Sequence, residues 1–306
     1  MLKLIDLPLE WKRAKEKILQ RGGKVIVVGK IDSGKTTFSF YLAKEALQQG
    51  LKVAIVDSDI GQSTIGPPTT VGSKFLEKSG DLIRLNPDHI YFVGDTSPRF
   101  HSLEILTGAK KMVDKASEKF PDLTIIDSCG LITPPFGLNL KLQKISLIQP
   151  DFIAAFNQGE EVKDLEKAVK GYSYQFVKLS SSPKAKLTSP EERKANREKA
   201  FENYFKKGKE VLFSLEDLSL YPNIFNLDFP ATDLENLLVG LFNQNDDCLG
   251  LGLVREISRP EKTIKVFSPI KKPQRVRGLK FGTLKVSPQG KELGRLTLRS
   301  QPGNQK

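Results

Sequence analysis

The chain has 306 residues, of which 39% are hydrophobic and 27% charged, with a formal net charge of +12. This length suits one large or two ordinary domains. No apolar run approaches the ~18 residues that a membrane span needs, and the first residues lack the apolar region of a signal peptide. A cytoplasmic location without a membrane partner is therefore expected. The two cysteines, Cys129 and Cys248, predict neither a disulfide framework nor a metal site.

Almost the whole charge excess lies in the last sixth of the chain. Residues 255–306 contain fourteen lysines and arginines against three acidic residues, a balance of +11. A basic surface on one segment indicates a polyanionic partner, most commonly nucleic acid. The alternative is a solvated basic tail that aids solubility.

In chain order, residues 9–19 form an amphipathic segment that predicts a helix. A short β-branched strand, residues 25–28, is followed at once by a turn that fits the phosphate-binding loop G-x-x-x-x-G-K-[ST]. The predicted nucleotide-binding residues are Gly29, Lys30, Ile31, Asp32, Ser33, Gly34, Lys35, Thr36 and Thr37.

The chemistry of this loop explains its composition. Its glycines let main-chain N–H groups point at phosphate oxygens, and the helix that begins near Lys35 adds its positive dipole end. Lys35 can reach the β- and γ-phosphates of ATP, and the Thr36 hydroxyl can hold Mg²⁺. The alternative is an ordinary glycine-rich turn with an exposed lysine.

Acidic residues end two of the predicted strands. Residues 53–56 read as a buried parallel strand, which leads into Asp57, Asp59 and Gln62. Asp127 ends another apolar strand, residues 123–127. Carboxylates at such positions point into the ligand crevice of an open α/β sheet. Asp57, Asp59 and Asp127 could each hold Mg²⁺ or accept the proton of an acceptor hydroxyl. The alternative for each is a purely structural role in a turn at the strand end.

Further strands and helices alternate up to residue 179, which predicts a parallel sheet with helices on both faces. A Ser/Pro/Lys-rich connector, residues 180–190, should be mobile. The charged helix after it places Arg193 and Arg197 on one face. These arginines could form a lid that neutralises a transferring phosphoryl group, or could belong to a solvated helix face.

Beyond residue 208 short strand-like runs predominate, with one predicted helix over residues 231–242. The expected organisation is a P-loop NTPase core of α/β class, residues 1–208 with the lid at about 180–206. A basic, mostly β domain, residues 209–306, should follow.

A resemblance sharpens this interpretation. The phosphate loop, then DSDIGQ with GPPTTVG, YFVGDTSP, IIDSCG and ERKANREKAFENYF, resemble in order the polynucleotide 5′-hydroxyl kinase family. That family includes the kinase subunit of the pre-mRNA cleavage factor and the rRNA-processing 5′-kinases. The similarity covers about residues 23–206, and the C-terminal region is similar to the small β domain of prokaryotic members.

The resemblance implies ATP-dependent phosphorylation of the 5′-hydroxyl end of RNA or DNA, with ATP and Mg²⁺ bound at the phosphate loop. Asp59 would be the base, with Asp57 and Gln62 supporting the metal and water shell. The loop that clasps the nucleic-acid end would contain Thr96, Ser97 and Pro98, and the lid arginines would be Arg193 and Arg197.

One position departs from the family pattern. Leu131 stands where eukaryotic members often have a tryptophan that can stack on a terminal base, so a base contact must come from elsewhere or be weak. A nucleotide-dependent switch ATPase or GTPase and a nucleotide-bound scaffold of an RNA-processing complex are the rival functions. No protein partner can be inferred from the sequence.

Overall fold

The computed structural model describes residues 7–156, 159–182, 187–222 and 231–296. They divide into two compact units. The first lies within Met1–Val93 and Ser97–Lys194, and the second within Gly94–Thr96 and Ala195–Lys306. The second unit therefore takes three residues from the middle of the first unit's sequence.

The first unit alternates strands and helices, as the sequence predicted. Its elements are α1 (Leu9–Arg21), β1 (Gly23–Val28), α2 (Lys35–Gln48), β2 (Val53–Ser58), β3 (Thr70–Leu76), a 3₁₀ turn (Ser79–Ile83), β4 (His89–Phe92), α3 (Ser102–Ser117), β5 (Leu123–Ser128), α4 (Phe136–Ile148), β6 (Phe152–Phe156), α5 (Glu160–Val169) and β7 (Gln175–Leu179). Helix α6 (Pro190–Phe205) begins in this unit and ends in the second.

The strand order in the first unit is β4-β3-β2-β5-β1-β6-β7. Strands β2, β5, β1, β6 and β7 are parallel, whereas β3 is antiparallel to both of its neighbours. The mostly parallel sheet is thus confirmed. Strand β3 is not predicted by the apolar pattern, because polar residues and Gly72 interrupt it over residues 70–76.

Both faces of this sheet are covered, because side chains alternate along each strand. Val25 and Val27 point into a core formed with α1 and α2, whereas Ile26 and Val28 point into a second core with α3, α4 and α5. Trp11 is fully buried in the first of these cores, and its indole Nε1 donates to the Ser180 carbonyl at 2.8 Å. Trp11 is therefore a core residue.

The second unit is mostly β. Its elements are β8 (Lys209–Ser214), β9 (Ser219–Tyr221), a 3₁₀ turn (Ala231–Leu234), β10 (Leu237–Phe242), β11 (Cys248–Ser258), β12 (Thr263–Ser268), a 3₁₀ turn (Pro273–Arg275), β13 (Gly278–Val286) and β14 (Glu292–Arg295). Strand β10 lies between β11 and β13 and is antiparallel to both.

The predicted helix over residues 231–242 is wrong. Only Ala231–Leu234 turns, as a single 3₁₀ turn, and Leu237–Phe242 is a strand buried along its whole length. A short apolar run cannot be assigned to a buried helix or a buried strand from its period alone. In this chain the main-chain groups of the run pair with a strand on each side, and that pairing decides its conformation.

No helix in the described part of the chain is long and apolar enough to cross a membrane.

Candidate nucleotide and acceptor site

The phosphate loop joins β1 to α2 at the carboxyl edge of the sheet. Gly34 has a φ of 101° immediately before the helix. Residues other than glycine rarely adopt this backbone conformation. Lys35, the first residue of α2, is buried, and its Nζ donates to the Lys30 carbonyl at 2.6 Å. Burial lowers the pKa of Lys35, and the nearby Asp127 opposes that shift. The lysine therefore lies within the loop, as the motif requires.

Other side chains of the loop fix its neighbours. Asp32 accepts hydrogen bonds from the main-chain N–H and the hydroxyl of Thr188, at 2.8 and 3.4 Å. Lys30 forms an ion pair with Glu161 at 3.2 Å. Ile31 is half exposed and passes so close to Gly130 that a side chain there would collide with it. The remaining loop residues are a buried Ser33 and a partly exposed Thr37.

Asp127 lies at the end of β5 beside the start of α2. Its Oδ1 is buried with no hydrogen-bond partner among the described residues, and the nearby Thr36 hydroxyl lowers the pKa of its carboxyl. Burial raises the pKa of Asp127 to about 6, against the opposing effects of Thr36 and Lys35. A hydroxyl next to a carboxylate with a spare oxygen is the oxygen-rich donor set that Mg²⁺ prefers.

Asp57 and Asp59 differ sharply in what they bond. Both carboxylate oxygens of Asp57 accept from its own turn: the N–H of Asp59, at 2.9 Å, the N–H groups of Thr64 and Ile65, and the Ser63 hydroxyl, at 3.4 Å. Asp57 is also only 2% exposed. Its pKa is raised to about 7, mainly by burial and to a smaller extent by the charge of Asp127. Its carboxylate is the centre of the turn.

Asp59 is partly exposed and uses one oxygen only. Its Oδ1 accepts from the N–H groups of Gly61 and Gln62 at 3.1 and 3.0 Å. Its Oδ2 has no hydrogen bond to the described residues, which distinguishes it from both oxygens of Asp57. These bonds orient the carboxylate and leave one oxygen available to an external group.

Arg193 lies at the same site. Its Nη1 donates to the Thr188 carbonyl at 2.6 Å and is 3.7 Å from the Asp32 carboxylate. The Gln62 amide donates to the Arg193 carbonyl at 3.1 Å. The first turn of α6 is thereby tied both to the phosphate loop and to the turn that carries Asp59. A capping box between Ser189 and Glu192 starts this helix.

The predicted connector, residues 180–190, is described only in part. Residues 183–186 lie outside the described ranges. On one side of them, the Ser181 hydroxyl donates to the Ser33 carbonyl at 2.8 Å. On the other, Thr188 bonds Asp32. Both described ends of the connector thus contact the phosphate loop.

Two predicted site residues belong to the second unit. Arg197 forms a bidentate ion pair with Glu292, at 2.6 and 3.1 Å. Thr96 follows Asp95, a 2% exposed carboxylate that accepts two bonds from Arg295, at 2.8 and 3.0 Å, and one from the Thr283 hydroxyl, at 2.6 Å. Arg295 also reaches the Thr96 hydroxyl at 3.4 Å. The predicted clasp residues Ser97 and Pro98, both partly exposed, lie in the first unit.

Two fully buried lysines behind the strand ends escaped the sequence analysis. Lys141 Nζ donates to the Ser128 hydroxyl at 3.0 Å and to the Cys129 carbonyl at 2.6 Å. Lys144 Nζ donates to the Ser58 hydroxyl at 2.8 Å, and burial lowers its pKa to about 8. They place positive charge beneath the ends of β2 and β5, behind the strand-end aspartates. Within the described residues no group of three or more His, Cys, Asp and Glu side chains is arranged to hold a metal ion.

A phosphate loop at the carboxyl edge of a mostly parallel sheet, with strand-end acids beside it, defines a P-loop nucleotide-binding protein. The sequence model described as the mRNA cleavage and polyadenylation factor CLP1 P-loop matches residues 29–207. The chain belongs to this family.

Relatives and solved structures agree with that assignment. A polyribonucleotide 5′-hydroxyl-kinase of Pyrococcus furiosus is 32% identical over 94% of this chain and 95% of its own length. The enzyme so named from Methanocaldococcus jannaschii is 32% identical, with 90% of this chain and 91% of its own covered. The Clp1p chain of a wild-type Clp1p–Pcf11p complex shares the fold, with a TM-score of 0.73 and 13% identity over 92% of this chain and 80% of that one.

Proposed function

We propose that this protein is an ATP-dependent polynucleotide 5′-hydroxyl kinase, which transfers the γ-phosphate of ATP to the 5′-hydroxyl end of RNA or DNA. The observation that carries the proposal is the near full-length similarity to archaeal proteins named polyribonucleotide 5′-hydroxyl-kinases. Phosphoryl transfer of this kind depends mainly on positioning and on stabilising negative charge. The arrangement of side chains at the site supports each of these tasks.

The donor half of the site is the phosphate loop, Gly29 to Thr37. Its main-chain N–H groups and the start of α2 bind phosphate oxygens. Lys35 exchanges its bond to the Lys30 carbonyl for the β- and γ-phosphates. The Thr36 hydroxyl and the spare Asp127 oxygen fit Mg²⁺, which would neutralise charge on the phosphates when bound. Asp57 is better suited to holding its turn than to the metal role predicted for it.

The acceptor half is the turn after β2. Asp59 is the proposed general base, because one of its oxygens is held by two N–H groups while the other has no partner in the described chain. That oxygen takes the proton of the 5′-hydroxyl as the hydroxyl attacks the γ-phosphorus. Asp57 is excluded from this role by the four donors that its carboxylate already accepts.

Arg193 is the proposed lid residue. A guanidinium close to the phosphate loop stabilises the charge of the transferring group. Its bond to the Thr188 carbonyl and its approach to Asp32 hold it there before substrates bind. Arg197 keeps the role of second lid arginine as a prediction, and in that role it would have to leave Glu292.

The acceptor backbone is proposed to bind a segment of the second unit. Residues 262–291 contain nine lysines and arginines and no acidic residue. Four of the nine form ion pairs: Lys262, Lys265, Lys280 and Lys291. Four others are exposed and form no ion pair with the described residues: Lys271, Lys272, Arg275 and Arg277. We call residues 271–277 the cationic turn.

The cationic turn is held in place by its main chain. The Arg277 N–H donates to the Phe242 carbonyl at 2.7 Å, and the Arg277 carbonyl accepts from the Ser219 N–H at 3.0 Å. The preceding residue, Val276, is buried in the core of the second unit. An ordered turn that presents unpaired cations attracts a polyanion such as the phosphate backbone of RNA.

A transfer assay tests the function. The protein is incubated with γ-labelled ATP, Mg²⁺ and oligonucleotides that carry a 5′-hydroxyl. Label on the RNA or DNA ends is expected. Phosphate release without labelled ends would instead favour a switch ATPase or GTPase, and neither product would favour a nucleotide-bound scaffold.

Two single variants refine the site. Lys35→Ala should abolish transfer. Asp59→Asn should leave ATP binding intact and lower kcat by roughly 10²–10⁴-fold, as expected for a lost general base. Near wild-type turnover of Asp59→Asn would move the base role to another residue.

A further inference from the structure

Phe100 is the most exposed large hydrophobic side chain among those the structure describes, at 96% of its surface. Its backbone has a φ of 68°, a left-handed conformation that is strained for a residue other than glycine. Folding gains nothing from an aromatic ring held in water. A ligand that covers the ring would explain why an aromatic side chain occupies this position.

The fold brings the Phe100 loop to the same edge of the sheet as the Asp59 turn. Strand β4 runs in the same direction as β2, since β3 is antiparallel to both. The carboxyl ends of β2 and β4 therefore emerge together, two strand spacings or about 10 Å apart. Thr69 bridges them, because its N–H donates to the Ile60 carbonyl and its carbonyl accepts from the Val93 N–H, both at 2.9 Å.

The chain on the far side of Phe100 is equally well fixed. The His101 N–H donates to the Pro98 carbonyl at 3.2 Å, and the Ile105 N–H donates to the His101 carbonyl at 3.0 Å. Helix α3 then packs closely on β4, where a side chain at Gly108 would meet the Tyr91 ring. Phe100 thus lies two residues before the start of α3, at the end of the segment that connects β4 to this helix.

We propose that Phe100 is the platform on which the base of the acceptor's terminal nucleotide stacks. This inference rests on the proposed kinase function. The occupant is a nucleobase, because the neighbouring Asp59 turn receives the hydroxyl of the same nucleotide and the adjacent Arg99 is an exposed cation suited to its backbone. Stacking on one ring accepts any base, since every base has a π face.

Leu131 cannot supply this contact. It is half-buried and packs against the core beneath α3 and α4, and it has no aromatic ring. Phe100 therefore provides the stacking surface that the position of Leu131 lacks.

Phe120 shows that exposure alone is not the basis of the proposal. It is 86% exposed and has a φ of 50°, so its local properties match those of Phe100. It lies at the other end of α3, before β5 begins, and thus at the opposite edge of the sheet. Phe120 is the matched control.

Steady-state transfer to a single-stranded 5′-hydroxyl oligonucleotide tests the proposal. Phe100→Ala should raise KM for the oligonucleotide about 5- to 150-fold, the range of one lost base–aromatic stack, and leave KM for ATP unchanged. Phe100→Trp should keep the wild-type value, and Phe100→Leu should behave like Phe100→Ala because it keeps the apolar volume but not the ring. Phe120→Ala should change neither KM.

An oligonucleotide whose terminal nucleotide is abasic completes the test. On this substrate the wild type and Phe100→Ala should have the same KM. An unchanged KM for Phe100→Leu on the normal substrate, or a loss that persists in full on the abasic one, would overturn the proposal. If the wild type transfers no phosphate, the kinase function fails, and fluorescence anisotropy of the same two oligonucleotides still measures whether Phe100 binds the terminal base.

Discussion

Replacing three cations of the cationic turn by glutamine should weaken the salt dependence of RNA binding by a calculable amount. The variant is Lys271→Gln/Lys272→Gln/Arg275→Gln. Arg277 is left in place because its guanidinium donates to the Gln274 and Val276 carbonyls and so supports the turn. Each phosphate contact on a single strand contributes about 0.7 to the slope of log K against log salt concentration. Three lost contacts should therefore reduce the slope by about 2.

The assay is fluorescence anisotropy of a labelled 5′-hydroxyl RNA at 50 to 200 mM salt. Across this range a slope difference of 2 corresponds to about a 16-fold difference in relative affinity. The wild type should lose about that much more affinity than the variant. Because the turn is anchored by main-chain bonds at Arg277 and by the buried Val276, the melting temperature should be almost unchanged.

The matched control removes the same net charge from cations that already have partners. In Lys262→Gln/Lys265→Gln/Lys280→Gln, the three lysines pair in the wild type with Glu216, Glu256 and Asp246. Its slope should fall by less than 1. Equal slopes in the two triple variants would show that net charge alone acts, and would refute the assignment of phosphate contacts to the cationic turn.

Three further predictions concern the acids and lysines of the first unit. Asp127→Asn should raise the Mg²⁺ concentration needed for half-maximal turnover at least tenfold. Asp57→Asn should chiefly lower stability, by about 2–4 kcal/mol, because the amide nitrogen of asparagine accepts no hydrogen bond and leaves donors of the turn unpaired. The ligand-free protein should become more stable as the pH falls from 8 to 5. The carboxyls of Asp57 and Asp127 have raised pKa values, about 7 and about 6, so folding favours their protonated forms. Lys144→Ala should cost about 2–5 kcal/mol in urea denaturation through the cavity it leaves, whereas Lys144→Met should cost under about 1.5 kcal/mol.

The sign of the pH effect follows from the two states. In the unfolded chain these carboxyls ionise near pH 3.9. Their stabilising contribution is complete below that pH and is lost as the pH rises through the folded pKa values. The Asp57→Asn/Asp127→Asn variant should lack this dependence, as followed by denaturation at pH 5, 6.5 and 8. A wild-type protein whose stability falls toward pH 5 more than that of the variant would contradict the reasoning.

The sequence sufficed for features that are local in the chain. The phosphate loop and the strand that precedes it each depend on neighbouring residues, and the structure has both. Leu237–Phe242 was misassigned because its conformation depends on pairing with strands distant in sequence. The sequence pattern carries no record of that pairing.

The buried lysines illustrate a signal that was present but outweighed. Residues 137, 140, 141, 144, 145 and 148 are the buried positions of α4, and they follow the helical period closely. Lysine is almost never fully buried without a partner, so composition argued for exposure where spacing argued for burial. The spacing was right, because the serine hydroxyls and carbonyl at the strand ends accept from both ammonium groups.

The different roles of Asp57 and Asp59 could not be read from their spacing. Both follow the same strand, and both are acidic. What separates them is the number of hydrogen bonds that their carboxylates accept. The donors are main-chain N–H groups and one hydroxyl of a turn whose course the sequence does not specify.

The three residues Gly94–Thr96 have a consequence for how this protein can change over evolution. They lie in the first third of the sequence, yet the N–H groups of Thr283 and Leu284 donate to the Gly94 carbonyl at 3.0 and 3.2 Å, and Arg295 holds Asp95. A recombination event that exchanged everything after residue 208 would keep Asp95 but replace the residues that bond its carboxylate. Asp95, Thr283 and Arg295 should therefore be inherited as a linked set, so that relatives that lack one of them lack or replace the others as well.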